Sequence, residues 1–351
     1  MLQEIRSLAV FQDLAAALRE RKPLPALGLP RSARLPVITA LQEELNIPVV
    51  LVTDRTDHVL TLLDEAVFWS PDLTARAFPE PNPLFYEQAA WGSNTRRDRL
   101  IALSSLAVYQ LPGATRPERA PLIVAPVRAL MTRTLPRRDF IKVSRTIKIG
   151  ARFALDALIK GWVEIGYQRA DIVVEPGQFS HRGGIVDIWP PAEPWPVRLD
   201  FFGDELDTLR RFDPATQRKL QSLDQVLVTP AREVLQGKAE GLNLPGPEVE
   251  EYYLPLVHPA PASLLDYLPT QGLVVADDLE LLRSVATEIE EQAVKMRQEG
   301  IAEGTVPADF PIPYISWSEL ADNLSSRDCL ELGFSVSEEP STLANVFKPG
   351  P

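Results

Sequence analysis

The sequence has one cysteine, Cys329, so no internal disulfide framework can hold the fold, and the scarcity suits a reducing compartment. It has three histidines, His58, His181 and His258, widely separated and with no cysteine or second histidine at ligand spacing, which excludes the common zinc arrangements. No run approaches the ~20 apolar residues of a membrane span. The opening MLQEIRSLAVFQDL is amphipathic and acid-containing, without the basic start and apolar middle of a signal peptide. A cytoplasmic chain with no membrane partner is therefore expected. No G-x-S-x-G elbow is present, and Cys329 lies in an acidic segment that disfavours a thiolate. Basic charge is also scarce: 36 Lys and Arg face 48 Asp and Glu, a net charge of −12. Residues 1–141 are net +2, residues 142–231 net 0 and residues 232–351 net −14, so the last third would repel a phosphate backbone. The broad basic field of a duplex-binding domain is missing.

The 351 residues suffice for two or three domains. The 33 prolines fall mostly between apolar segments and mark turns and boundaries. Residues 2–20 have helical periodicity, with Leu8, Phe11, Leu14, Ala15 and Leu18 on one stripe. Ile47–Thr53 is a continuous apolar run, as expected of a strand covered on both faces. Helical stretches at 55–68 and 95–110 and a second such strand at Leu122–Ala125 suggest a parallel α/β sheet. Near residue 140 the pattern changes. A helix, Arg152–Lys160, precedes short strand-like pieces at Asp171–Val174, Gly184–Trp189, Val197–Phe202 and Leu206–Phe212, separated by turn formers. These define an antiparallel α+β unit over 142–231, between an α/β stretch at 1–141 and another at 232–351 that holds a strand at Leu273–Ala276 and a long helix at 278–299. The expected fold is thus an α/β lobe split by an inserted α+β domain. The proline-rich 244–261 and the tail FKPGP are expected to be connections.

A phosphate loop of the G-x-x-x-x-G-K-[ST] type closes backbone amides around phosphate, with Lys on the terminal phosphates and Ser or Thr on magnesium. Gly161–Gly166 has the glycine spacing, but Tyr167 stands where Lys is required and a helix precedes it. The better-placed GLPRSAR, Gly28–Arg34, has one glycine, a proline and no lysine, so it reads as a vestigial loop represented by Gly28, Arg31, Ser32 and Arg34. In LVVADD, Asp277 or Asp278 is expected to cap the following helix rather than hold magnesium. No catalytic residue, metal or cofactor is expected. Arg96, Arg97 and Arg99 form a basic cluster that reads as a solvated helix start, and against it stands a DNA-binding module. The informative stretch is Gly166–Phe212, which interleaves Arg169, Arg182 and Arg198 with Phe179, Trp189, Phe201 and Phe202. Core aromatics with solvated arginines would explain it, and so would the anchors of a protein interface.

This stretch resembles the second domain of UvrB and of transcription-repair coupling factors. The matching positions are Tyr167, Arg169 and Asp171; then Gly177, Phe179, Arg182, Gly183, Asp187, Ile188 and Pro190; then Arg198, Asp200, Phe202, Asp204 and Glu205. FDPATQR continues the match, and LIVAPVRALMTRTLP and LVVADDLELL resemble the flanking halves of coupling factors. The resemblance implies a helicase-like domain 1 split around domain 2. The degenerate loop favours the coupling factor over UvrB, whose loop is complete. It also implies that UvrA is the partner, bound through Arg169, Phe179, Arg182, Arg198 and Asp200. One further basic family position is Ser180 here. Full-length coupling factors continue into an RNA-polymerase-binding domain and an ATP-driven motor on double-stranded DNA, so this chain is expected to be a non-catalytic recruiting module cut from such a protein. The alternative is a UvrB-like ATP-dependent repair helicase.

Overall fold

A computed structural model describes residues 2–333 except 23, 25, 26, 243, 246–248 and 328. The strands in chain order begin with β1 (Val49–Thr53), β2 (Ala75–Ala77), β3 (Leu122–Pro126) and β4 (Arg145–Lys148). Next come β5 (Gln168–Arg169), β6 (Gln178–Arg182), β7 (Ile185–Ile188), β8 (Val197–Phe202) and β9 (Glu205–Phe212). The last are β10 (Lys219–Ser222), β11 (Gln225–Val228), β12 (Leu273–Ala276) and β13 (Leu330–Glu331). The chain divides into two compact units. The first takes the described parts of Met1–Glu87, Pro117–Arg133 and Ser263–Pro351; the second takes Gln88–Arg116 and the described parts of Thr134–Ala262.

The first unit is built on a parallel sheet of order β13-β12-β1-β3-β2. Every residue of β1, β3 and β12 is buried, which is why these strands are unbroken apolar runs instead of alternating ones. The helices Arg31–Leu45 and Thr56–Trp69 supply Leu35, Ile38, Leu41, Val59 and Ala66 to one core with Leu51, Val124 and Val275. The expected first helix is two, Leu2–Ser7 and Ala9–Glu20. Its apolar stripe survives the break, with Phe11, Leu14 and Ala15 buried.

The second unit holds a six-stranded sheet, β10-β9-β8-β7-β6-β5, antiparallel except for β5 against β6. Alternation turns Val197 and Leu199 of β8 to one face, and the register shift at Asp200/Phe201 brings Leu206 and Leu209 of β9, three apart, to it as well. The helix Leu155–Glu164 is amphipathic and buries Leu158 and Trp162. The Trp162 ring meets Phe179 edge-on at 5.9 Å and Tyr167 at 6.3 Å. Two sequence expectations are corrected in this unit. Asp171–Val174 is not a strand: Gln178 Oε1 accepts the amides of Val174 at 2.9 Å and Glu175 at 3.3 Å, so a side chain occupies amides that a ladder would need. The 244–261 stretch is more than a connection: Leu254 and Val257 in a short helix pack against Val234 and Ala239. The tail FKPGP lies outside the described residues.

Candidate functional site

Two places can be tested for function: the open face of the six-stranded sheet, and the carboxyl end of the parallel sheet.

On the six-stranded sheet, Arg198 and Asp200 are two residues apart on β8 and share the face opposite Val197 and Leu199. The register carries that open face across the sheet. One row is Ser180, Asp187, Arg198 and Arg210; the next is Arg182, Ile185, Asp200 and Thr208. Arg198 is already engaged. Its Nε and Nη2 bond Asp187 at 2.6 and 2.7 Å, Nη2 also reaches Gln217 at 2.7 Å, and the guanidinium lies 4.5 Å over the Phe212 ring. The Asp187 carboxylate raises the pKa of the Arg198 guanidinium. Asp200 accepts from the Thr208 hydroxyl at 2.6 Å and pairs with Arg210. Arg182 differs: it is exposed and donates to the Asp171 carbonyl, and no carboxylate pairs with it among the described residues.

Gly183 explains how Arg182 is presented. Its φ of +61° is a left-handed turn residue, and a Cβ at the next position, Gly184, would lie 2.8 Å from the Phe201 carbonyl. The β6–β7 turn therefore lies close against β8, beside Phe202. Phe202 pairs with Glu205, while its neighbour Phe201 pairs with the buried Leu206 and meets Phe153 edge-on at 6.4 Å. Phe202 thus faces out with the arginines and is 85% exposed. The sequence marks Phe202 among the interleaved aromatics without setting it among the partner-binding residues, although alternation alone puts 198, 200 and 202 on one face.

Two expected site residues sit elsewhere. Phe179 is 0% exposed and packs on Trp162, so it supports the sheet from beneath and has no surface to offer a partner. Arg169 is exposed on edge strand β5, but its register partner is Phe179. It leaves the sheet on the side opposite Arg182, Arg198 and Asp200, so the arginines do not form one row. Ser180, where the resemblance expects a basic residue, is buried beside Asp187.

At the parallel sheet, the chain leaves β1 for β2 on one side and β12 for β13 on the other, so the strand order reverses between β1 and β12. Such a reversal is where open α/β sheets bind ligands. The acidic groups there are engaged by the protein itself. Asp54 lies 2.5 Å from His58 Nδ1 and 3.1 Å from the Thr53 hydroxyl. Asp278 accepts the Leu281 amide at 3.1 Å, the expected cap of the helix Leu279–Glu303. Asp277 Oδ1 accepts from Arg34 Nη1 at 2.8 Å. The vestigial loop does not gather its four residues: Gly28 is buried, Arg31 and Ser32 are exposed, and Arg34 turns inward.

The basic cluster at 96–99 is likewise not a patch. Arg99 is fully buried, its Nε 2.5 Å from Glu233 Oε1 and its guanidinium 4.9 Å over Trp91. Arg96 reaches Glu250 at 3.5 Å, and Arg97 alone of the three is exposed. Cys329 is no nucleophile, since burial pushes its thiol up to about 12. Among the described residues no group of three or more His, Cys, Asp or Glu could hold a metal, and no helix is long and apolar enough to cross a membrane.

Residues 146–234, which include the open-faced sheet, match the family model described as the UvrB interaction domain. The wider chain is similar to proteins named transcription-repair-coupling factor. It is 28% identical to that of Bacillus subtilis over 326 residues, 82% of this chain and 27% of the relative. It is 32% identical to that of Myxococcus xanthus over 64% of this chain and 19% of the relative, and 31% identical to that of Escherichia coli over 55% and 16%. The resemblance read from Gly166–Phe212 is found, and it extends well beyond that segment. The chain spans about a quarter or less of the length of these relatives.

Proposed function

We propose that residues 146–234 dock UvrA, and that the chain serves transcription-coupled nucleotide excision repair in the cytoplasm as a recruiting module. The carrying observation is the open sheet face inside the matched domain, where the unpaired Arg182 and the exposed Phe202 stand beside Asp200 and Arg198. An aromatic anchor with a neighbouring arginine fork is the usual centre of a protein interface. Arg198 and Asp200 bind as pre-paired groups able to exchange their internal partners for partner groups, and Arg169 contributes from the sheet edge. The parallel-sheet unit is a degenerate helicase-like lobe split around the docking domain. In a longer protein like the relatives, RNA polymerase binding and ATP-driven movement on double-stranded DNA belong to other segments.

The lobe turns over no nucleotide. The amide of Leu29 in the loop donates to the Leu332 carbonyl at 3.1 Å, and that of Leu27 just before it to the Glu331 carbonyl at 2.7 Å, so neither is offered to phosphate. Calorimetric titration of UvrA into the purified chain tests the docking reading, with saturable binding expected and no heat as the contrary result. Magnesium-dependent ATP hydrolysis by the chain, lost on changing the 28–34 loop, would overturn the non-catalytic reading.

A further inference from the structure

We infer that the vestigial loop has become a clasp, with Arg34 as its built-in cation, that ties the start of the first unit to the last strands of its sheet. Two kinds of bond make the clasp. The amides of Leu27 and Leu29 run along the sheet edge at β13, donating to the carbonyls of Glu331 and Leu332. Leu332 in turn donates to Ala276 at the end of β12 at 3.0 Å. The Arg34 guanidinium then closes the loop from inside. Its Nε donates to the Leu29 carbonyl at 3.1 Å, and its Nη1 donates to both the Asp277 carbonyl and Asp277 Oδ1 at 2.8 Å.

One planar fork thus joins the loop's own backbone to the end of a strand 243 residues away. Arginine is the side chain for this, because its donors diverge in a fixed plane and its charge persists at all working pH values. The pair is mostly buried, with side chains 13% and 17% exposed, so solvent screens it weakly. Asp277, at the end of β12, is thus engaged by the protein's own cation. The Leu27–Leu29 segment also covers backbone groups at a sheet edge, which would otherwise be a template for pairing with another chain. This role stands whether or not the second unit binds UvrA.

The test is a double-mutant cycle read by thermal unfolding and by amide hydrogen exchange on the full chain. Arg34→Ala and Asp277→Ala should each lower the Tm of the first unit by about 3–8 °C. The double variant should be little worse than the poorer single one, because both remove the same contact. In Arg34→Ala, exchange at the Leu27 and Leu29 amides should accelerate about ten-fold or more, with protection in the six-stranded sheet unchanged. Arg34→Lys keeps the charge but cannot serve Leu29 and Asp277 together, so it should fall between; it carries the test if Arg34→Ala does not fold. Additive Tm losses, or unchanged exchange at Leu27 and Leu29 in either Arg34 variant, would overturn the clasp.

Discussion

Both units build with arginine–carboxylate pairs, and the two sets differ in what they leave over. In the first unit Arg34 gives its fork to Asp277 and to its own loop, and the site closes on itself. On the open sheet of the second unit Arg198 and Asp187 pair about as deeply as Arg34 and Asp277 do, and Arg210 and Asp200 pair beside them in more open positions, while Arg182 and Phe202 remain directed outward. A pair turned inward onto the protein's own loop and strand end leaves a site little to bind with. A surface pair beside an unpaired arginine and a bare aromatic keeps it. The same residue types serve closure in one place and recognition in the other, and the exposed groups left beside the pair decide which.

The largest expected effect comes from pressing the buried extreme of that contrast. Arg99→Ala would strand Glu233 in the interior of the second unit with its Thr134 hydroxyl partner but no cation. A loss of about 3–5 kcal/mol in chemical unfolding is expected, as for breaking other buried pairs. A loss under ~1 kcal/mol would mean that the interior there is far more hydrated than its packing implies.

Arg198→Ala is intermediate because Arg198 is both structural and on the proposed docking face. It should weaken UvrA binding and also lower the stability of the second unit by about 1–2 kcal/mol, since Asp187 loses both hydrogen bonds. Affinity and Tm measured on the same preparation separate the two effects. A variant of full stability would show that the Asp187 pair is exchangeable at no cost and would sharpen the contrast with Arg34.

Acid gives the smallest effect. Burial pushes the His258 pKa down, against the opposing hydrogen bond from Asp139, while Asp139 itself is held low by Lys238 and His258 despite its own burial. A histidine whose folded pKa is depressed takes up its proton more readily when unfolded. Its contribution is therefore intact above about pH 6.5 and is lost as pH falls below that value. Asp139 adds a further loss only below its ordinary range, near pH 4. The second unit should hold a flat stability above pH 7 and decline on acidification. His258→Gln should flatten the part of the decline between pH 6.5 and 5, and an unchanged profile would remove His258 as the cause.

Much of this was legible in the sequence, for identifiable reasons. The buried strands showed as apolar runs because both faces of the parallel sheet are covered. The six-stranded domain showed in a dense pattern of fixed positions from Tyr167 to Glu205. What was not legible depends on partners far along the chain. Arg99 looked like surface because Glu233 is 134 residues away, and Arg34 looked inert because Asp277 is 243 away. Phe179 looked like an interface anchor because pattern alone does not say which face Trp162 covers. Arg169 and Asp171 have the same spacing as Arg198 and Asp200, but the parallel pairing of β5 with β6 turns Arg169 to the other side.

The docking face is tested most directly by measuring UvrA affinity and thermal unfolding together for Arg182→Ala, Phe202→Ala and Arg169→Ala. Arg182→Ala and Phe202→Ala should each cost about 2–4 kcal/mol of binding, with stability changed by no more than ~0.5 kcal/mol; Arg169→Ala should cost under ~1 kcal/mol of binding. Unchanged UvrA affinity in stable Arg182→Ala and Phe202→Ala proteins would contradict the assignment of this face.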